Sequence, residues 1–272
     1  MDLSDPARER VAKRLAEIAC RAGALLRRHE ISGCAHSLKA DGSPTSAADL
    51  AAEALILAAL AQDFPGVPVI AEETACTVAP AELFFLVDPL DGTRDFLHGT
   101  GEYSVNIALV AGDRPVASAL VAPVLGRAWA AGVRASEGSV AEGELGALAT
   151  VRARPAPSER VVALVSRRHG DAATEACLAA FGPVERRTAS SALKFALIAS
   201  GEADLYLRCG PTMEWDTAAG DHLLACAGGT VVGPDRAPLT YGHHGRDYRN
   251  GAFAALGDVA LAGRIRMGLA GA

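Results

Sequence analysis

The spacing of apolar residues divides the first part of the chain into two helices and two strands. Residues 6–29 carry apolar side chains every three or four positions, with Arg, Lys and Glu between them. This pattern predicts an amphipathic helix that begins after Asp5. A second helix is predicted over residues 46–60, and the Phe-Pro-Gly turn signal at 64–66 follows it. Short apolar runs at 67–71 and 83–87 predict strands.

The middle of the chain has the pattern of consecutive strands. Residues 103–110, 116–121 and 127–132 are apolar runs separated by Gly-containing turn signals, which predicts an antiparallel meander. Residues 134–160 are rich in Gly, Ala, Glu and Pro and are the best candidate for an internal boundary.

Beyond that stretch, strands alternate with helices. The predicted strands cover 161–165, 184–187 and 205–207, and the predicted helices cover 170–181, 191–200 and 215–227. Such alternation is typical of an α/β unit. We therefore predict one domain over residues 1–272, made of an N-terminal α+β half (about 1–135) and a C-terminal α/β half (about 158–272).

Composition excludes several classes of protein. Half of the 272 residues are hydrophobic but only 5% are aromatic, so the core must consist mostly of Ala, Val and Leu. A net charge of −6 argues against a nucleic-acid-binding surface. No apolar run is long enough to cross a membrane. Six scattered cysteines without a metal-binding spacing, and an N-terminus without a signal peptide, indicate reduced thiols in the cytoplasm.

Two carboxylates follow the strand at 83–87. Asp88 and Asp91 lie three residues apart in a segment that also contains Pro89 and Gly92, and in a turn both can point into one cavity. Two close anions repel each other and raise each other's pKa unless a cation neutralises them, and Mg²⁺ prefers such oxygen ligands. The alternative interpretation is an ordinary proline turn that ends a strand.

Further carboxylates lie near the ends of other predicted elements. Glu72 and Glu73 end the preceding strand, and consecutive strands are often neighbours. Asp216 lies at the start of the last helix, where the alternative is a carboxylate that stabilises the first turn. Asp49 is the third helical residue after Ser46, so the alternative there is a capping box.

Together these motifs resemble a known family. Asp49, the Ala-Glu-Glu run at 71–73, the segment from Asp88 to Thr93 and the Trp-Asp-Thr-Ala-Ala-Gly run at 215–220 resemble the Mg²⁺-dependent, lithium-sensitive phosphatases typified by inositol monophosphatase. The resemblance covers roughly residues 8–260. It implies an α/β fold, a layered α/β/α/β/α sandwich, with a metal site between the halves.

A finer resemblance is to the bacterial 3'(2'),5'-bisphosphate nucleotidases. It rests on residues 39–44, 88–97, 101–108, 166–169, 193–195, 205–208 and 210–212. Two positions depart from that pattern. Ser190-Ser191-Ala192 stands where Gly-Ser-Ser is usual, which removes one hydroxyl contact with the nucleotide, and Ala71 replaces a common Gly.

The resemblance also implies roles for individual residues. Mg²⁺ ions, two or three in number, would be held by Glu72, Asp88, Asp91, Asp216 and the Leu90 carbonyl, with Asp88 between two of them. Asp49 and Thr93, with Glu72, would activate the attacking water. The scissile phosphate would contact Gly92 and Thr93, beside Asp91 and Asp216, and the rest of the nucleotide would contact Ser166, His169, Ser191, Lys194 and Arg208.

Two of these residues have ordinary structural interpretations. Lys194 would then be a solvent-facing residue on an amphipathic helix, and His169 a surface loop histidine. The resemblance implies hydrolysis of the 3'-phosphate of adenosine 3',5'-bisphosphate to AMP and phosphate, in sulfur metabolism, with Lys194 and Arg208 as candidates to bind the phosphate that is not cleaved. The alternatives are an inositol or other sugar monophosphatase, and a non-catalytic nucleotide sensor. Homodimer formation and peripheral association with the inner membrane remain open.

Overall fold

The computed structural model describes residues 1–32, 36–38, 44–74, 79–157, 160–167, 171–190 and 192–265. The chain begins with helix α1 (Asp5–Ser32), followed by the short paired strands β1 (His36–Leu38) and β2 (Pro44–Ser46). Helix α2 (Ala47–Asp63) comes next. Both predicted N-terminal helices are confirmed, each within three residues at either end. No helix in the described ranges combines the length and the hydropathy needed to span a bilayer.

A first, mixed sheet follows these helices. Its described strands are β3 (Val69–Ala71), β4 (Leu83–Asp91), β5 (Ser104–Ala111), β6 (Arg114–Ala122), β7 (Arg127–Ala131), β8 (Ala135–Ala141), β9 (Glu144–Leu145) and β10 (Ala149–Thr150). The strand order is β10-β8-β7-β6-β5-β4-β3, and β9 pairs with β8. Strands β3 and β4 are parallel, and the pairs from β4 to β8 are antiparallel. The predicted meander is therefore confirmed.

A second sheet is built from the C-terminal residues. Its strands are β11 (Val161–Val165), β12 (Val184–Thr188), β13 (Leu205–Arg208), β15 (Thr230–Val232) and β17 (Phe253–Leu256), and β14 (Thr212–Met213) pairs with β16 (Arg249–Asn250) beside it. The sheet order is β12-β11-β13-β17-β15, with β11 parallel to both β12 and β13. The helices are α3 (Thr93–Leu97), α4 (Ala172–Phe181), α5 (Leu193–Ala199) and α6 (Glu214–Cys226).

Alternating side chains of the two sheets form three hydrophobic layers. One face of the first sheet packs on α1 and α2, and its other face packs on α5 and α6. The far side of α5 and α6 packs on the second sheet, whose outer face is covered by α4. The order of layers is thus α/β/α/β/α, as expected from the resemblance.

Two sequence interpretations differ from the structure. Strand β4 does not end at Val87 but continues through Asp91, so the two aspartates lie in a strand rather than in a turn. The stretch 134–160, taken as a candidate boundary, includes β8, β9 and β10, which extend the first sheet. Glycine-rich composition is typical of linkers, but glycines also permit tight connections between strands. Gly143, with a φ of 88°, lies in such a connection here.

Candidate active site

The parallel strands of the two sheets bring functional side chains to one cleft. Glu72 follows β3 and Asp91 ends β4, while Ser166, Ser190 and Arg208 lie at the carboxyl ends of the parallel strands β11, β12 and β13 or just beyond them. Ligands of α/β sheets characteristically bind at such strand ends. The cleft has a volume of about 290 Å³ and is lined by Pro44, Glu72, Asp91, Gly92, Thr93, Arg94, Asp95, Glu102, Ser166, Arg167, Ala189, Ser190, Arg208 and Asp216.

An irregularity in β4 explains how two aspartates three residues apart join the same group of carboxylates. In a regular strand, residues three apart point to opposite faces. Here Asp88 is opposite Asn106 and Asp91 is opposite Ser104, so the register shifts between the two aspartates. A bulge of this kind changes the direction in which the following side chain points. The bulge thus brings both carboxylates to the same electrostatic cluster.

Backbone N–H groups orient the three aspartates of the cluster. The Leu90 N–H donates to Asp88 Oδ1 at 3.0 Å, and the Met213 N–H donates to Asp216 Oδ2 at 2.9 Å. The Ala192 N–H donates to Asp91 Oδ2 at 2.6 Å, which joins β4 to the start of α5. The interpretation of Asp216 as a residue that stabilises the first turn of its helix is therefore also correct. Asp216 also lines the cleft, because α6 begins there.

Mutual repulsion makes this cluster unfavourable without a cation. Burial raises the pKa of Asp88 well above its usual range, and the nearby Glu72, Asp91 and Asp216 raise it further. Burial and Asp91 also raise the pKa of Asp216. Carboxylate and carbonyl oxygens without sulfur or imidazole form a donor set that suits a hard cation such as Mg²⁺. The residues therefore fit the implied metal by their chemistry.

The main chain orients the carboxylates of this cluster. Each of the three aspartates accepts a hydrogen bond from a backbone N–H group. In the described ranges, no three Asp, Glu, His or Cys side chains form a ready-made metal site.

Asp49 and Thr93 form a second pair beside this cluster. Asp49 is fully buried and its Oδ2 accepts hydrogen bonds from the Ser46 N–H and hydroxyl, so the predicted capping box exists. Its Oδ1 lies 3.2 Å from the Thr93 hydroxyl, which lies at the same distance from the Leu90 carbonyl oxygen. Burial is the main cause that raises the pKa of Asp49. Asp49 therefore contacts Thr93, which lines the cleft.

Gly92 requires its lack of a side chain. Its φ is 93°, a left-handed conformation that favours glycine, at the residue before α3. A Cβ atom there would lie 2.9 Å from Ser190 Oγ and 3.1 Å from the Glu102 carbonyl oxygen. Both neighbours line the cleft. Gly92 thus allows the segment after β4 to approach both walls of the cleft.

The predicted nucleotide contacts are placed unequally. Ser166 and Arg208 line the cleft, and the Arg208 guanidinium donates to the Pro211 carbonyl oxygen at 3.2 Å. Lys194 is fully buried, its Nζ lies 4.5 Å from the centre of the Tyr206 ring, and it has no hydrogen-bond partner among the described residues. The solvent-facing interpretation of Lys194 is therefore wrong. His169 and Ser191, like the loop at 39–43, lie outside the described residues.

Close helix packing explains the position of Lys194. A Cβ atom at Gly220 would lie 2.4 Å from the Phe195 ring, so the glycine lets α6 pack directly against α5. This contact confirms that the small residues of the last helix allow close packing. It also places Lys194, one residue before Phe195, in the layer between the two sheets.

Two features of the cleft escaped the sequence analysis. Arg167 forms an ion pair of 2.7 Å with Glu102, which connects the two walls. Glu214 is fully buried and accepts hydrogen bonds from the Gly242 N–H, the His243 N–H and the His243 ring at 2.6–2.9 Å. These bonds fix the start of α6, which carries Asp216. Arg167 and Glu102 lie within the motifs at 166–169 and 101–108, and Glu214 adjoins the motif at 215–220, but nothing in the sequence indicates their contacts.

A larger cavity of about 880 Å³ lies elsewhere, beside the start of α1 and the end of α2. It contains Arg14 and Asp63, which pair with each other at 2.6 Å. The carboxylate cluster, by contrast, borders the smaller cleft. We assign the chemistry to the smaller cleft because reactive groups, rather than volume, identify a catalytic site.

Comparisons with known proteins agree with this geometry. Residues 7–262 match the model of the inositol monophosphatase family. The 3'(2'),5'-bisphosphate nucleotidase CysQ of Escherichia coli K12 is 39% identical over 206 residues, which are 75% of this chain and 81% of that protein. The CysQ of Salmonella typhimurium is 40% identical over 204 residues, which are 72% and 78% of the two chains.

A solved structure supports the same assignment. CysQ from Bacteroides thetaiotaomicron, a bacterial member of the inositol monophosphatase family, has a TM-score of 0.77 and 30% identity. The match covers 91% of this chain and 97% of that one. The fold, the carboxylate cluster and the sequence matches lead to one conclusion: the chain belongs to the inositol monophosphatase family.

Proposed function

We propose that this protein is a Mg²⁺-dependent phosphatase that hydrolyses the 3'-phosphate of adenosine 3',5'-bisphosphate to AMP and phosphate. The observation that carries the proposal is the cluster of buried carboxylates in a cleft that also presents Arg208. The cluster suits phosphate chemistry, and the arginine suits a second phosphate, since its guanidinium binds phosphate oxygens in pairs. The names of the most similar relatives support the same substrate class.

The residues that would hold the cations are Glu72, Asp88, Asp91, Asp216 and the Leu90 carbonyl, and we propose two or three ions. Such ions, when bound, neutralise phosphoryl oxygens and lower the pKa of water. The role of the chain is to fix the carboxylates in place. Backbone N–H groups do this for Asp88, Asp91 and Asp216 by donating a hydrogen bond to each of them.

Asp49, Thr93 and Glu72 would activate the attacking water. A water held by Thr93 Oγ1 can pass its proton to that oxygen as the hydroxyl proton moves to Asp49 Oδ1, 3.2 Å away. The raised pKa of Asp49 makes this carboxylate a better proton acceptor. The water oxygen attacks phosphorus in line, the bond to the 3' oxygen breaks with its electron pair, and that oxygen then takes a proton from solvent water. No covalent phospho-enzyme is required.

The burial of Lys194 favours a second candidate function. Of the two cations expected to bind the uncleaved phosphate, only Arg208 lines the described cleft. A site with one such cation also suits an inositol or other sugar monophosphatase. From the family resemblance alone, we further propose lithium inhibition, a cytoplasmic location and a role in sulfur metabolism.

Product analysis tests the proposal. The purified protein is incubated with Mg²⁺ and adenosine 3',5'-bisphosphate, and the nucleotide products are separated by chromatography. We expect AMP and one equivalent of phosphate. Formation of adenosine 3'-phosphate instead would contradict the assigned bond. No release from this substrate, with rapid release from inositol 1-phosphate, would favour the sugar phosphatase.

A further inference from the structure

Two cysteines that the proposed reaction does not use are in direct contact. Cys177 Sγ, on α4, lies 3.3 Å from Cys209 Sγ, in the residue that follows β13. A disulfide bond is about 2.05 Å long, so the two sulfur atoms need to approach by roughly 1.2 Å to form one. The described ranges contain two further cysteines, Cys20 and Cys226. The Cys226 sulfur contacts the His222 ring rather than another cysteine.

The backbone around the pair is already held together. The Cys209 N–H donates to Thr174 Oγ1 at 2.9 Å. Thr174 in turn donates from its N–H and its hydroxyl to Asp171, both at 2.7 Å, and Asp171 is the residue that caps α4. A bond between the two sulfur atoms would therefore join segments that are fixed relative to each other. Large backbone movement is not needed.

We propose that Cys177 and Cys209 are a modification site, at which a small-molecule disulfide oxidises the two thiols to an intramolecular disulfide. Cys209 is half-buried and Cys177 is buried, so the Cys209 thiolate attacks the reagent first. This attack forms a mixed disulfide and releases one reagent thiolate. The Cys177 thiolate then attacks Cys209 Sγ and displaces the second. The protein loses two electrons and two protons, and the reagent becomes two thiols.

The resting pair reacts slowly. Burial and the neighbouring Cys177 raise the pKa of Cys209 to about 11, which leaves little reactive thiolate at neutral pH. Oxidation therefore needs an excess of reagent and a long incubation. This property would keep the enzyme reduced under ordinary conditions.

The position of the pair connects it to the cleft. Cys209 directly follows Arg208, which lines the cleft, so the approach of the two sulfur atoms from 3.3 Å would draw the segment that carries this arginine towards α4. This consequence rests on the proposed function, because Arg208 is assigned there to the uncleaved phosphate. We expect the KM for adenosine 3',5'-bisphosphate to rise at least threefold on oxidation, with kcat nearly unchanged.

The test uses oxidised glutathione on the full-length protein, followed by blocking of free thiols and peptide mapping by mass spectrometry. We expect a peptide pair linked through Cys177 and Cys209 and reversed by dithiothreitol. The link should be absent in Cys177→Ser and in Cys209→Ser, and present in the matched control Cys226→Ser. KM is then measured on the oxidised and re-reduced protein.

Each outcome has one interpretation. Failure of the wild-type protein to form the linked pair, while glutathione modifies other cysteines, would overturn the modification site. A linked pair with an unchanged KM would overturn the effect on Arg208. The mapping does not depend on activity, so a wrong substrate assignment would leave the first result standing.

Discussion

The buried Lys194 gives a prediction about stability that can be worked out from the structure. Burial lowers its pKa from 10.5 to about 7, although Asp91 opposes the change. At pH 7 the unfolded chain is fully protonated there and the folded chain is half protonated. Since each pKa unit corresponds to about 1.36 kcal/mol, the buried amine costs about 4 kcal/mol of folding free energy at this pH.

Replacing this lysine with methionine should stabilise the protein. Lys194→Met keeps an unbranched chain and removes an amine for which the described part of the structure offers no hydrogen-bond partner. It also removes the contact with the Tyr206 ring, which is worth up to about 2 kcal/mol. The net gain is about 2 kcal/mol at pH 7. For a protein of this size, that corresponds to a rise in Tm of about 4–8 °C.

The pH dependence tests the cause. The folded-state pKa lies below the unfolded one, so between pH 7 and 10.5 only the unfolded state still binds this proton, and wild-type stability gains as pH rises. The variant lacks this gain. We therefore expect the difference in unfolding free energy, measured by urea denaturation, to shrink from pH 7 to pH 10.

A surface lysine provides the matched control. Lys13→Met alters a side chain that is 65% exposed and pairs only with Glu17 in the described structure, so its effect should be within about 0.5 kcal/mol at either pH. The reasoning is refuted if Lys194→Met destabilises the protein at pH 7, or if its effect does not vary with pH.

Other predictions concern the cleft. Asp88→Asn and Asp91→Asn should each abolish turnover with unchanged circular dichroism; more than a few per cent of wild-type kcat would contradict the ligand assignment. Arg208→Ala should lower kcat/KM for the bisphosphate by about ten- to a hundredfold but hardly affect inositol 1-phosphate, with Arg160→Ala as the neutral control; equal losses on both would indicate a structural role. EDTA should stop turnover and Mg²⁺ restore it, whereas full activity in EDTA would exclude the proposed chemistry. Glu214→Gln should cost about 2 kcal/mol in urea denaturation, because its amide N–H₂ would face the N–H donors of residues 242–243; wild-type stability would show that these bonds contribute little.

Long periodic segments were predictable from sequence because their own residues decide their structure. The helix α1 has an apolar face that repeats over 28 residues, and the alternation that leads to β11, α4 and β12 recurs in the structure. The short strands β15 and β17 were missed because three or four apolar residues next to glycine give no clear period. Their pairing depends on partners distant in the chain.

The site was predictable in composition but not in geometry. The spacing of Asp88 and Asp91 pointed to a shared cavity, yet the bulge that brings them together depends on pairing with residues 104 and 106. The burial of Lys194 depends on both sheets and on the contact of Gly220 with Phe195. One signal was present: a lone charge in the helix Leu193–Ala199, which is otherwise apolar on all sides, indicates a buried helix.

The most direct test of the central claim is the ratio of kcat/KM for adenosine 3',5'-bisphosphate to that for inositol 1-phosphate, measured by phosphate release with Mg²⁺. A charge-assisted contact to the second phosphate is worth roughly 1.5–3 kcal/mol, so we predict a ratio of about ten to a hundred or more in favour of the nucleotide. A ratio at or below one would contradict the nucleotidase assignment and favour a sugar phosphatase.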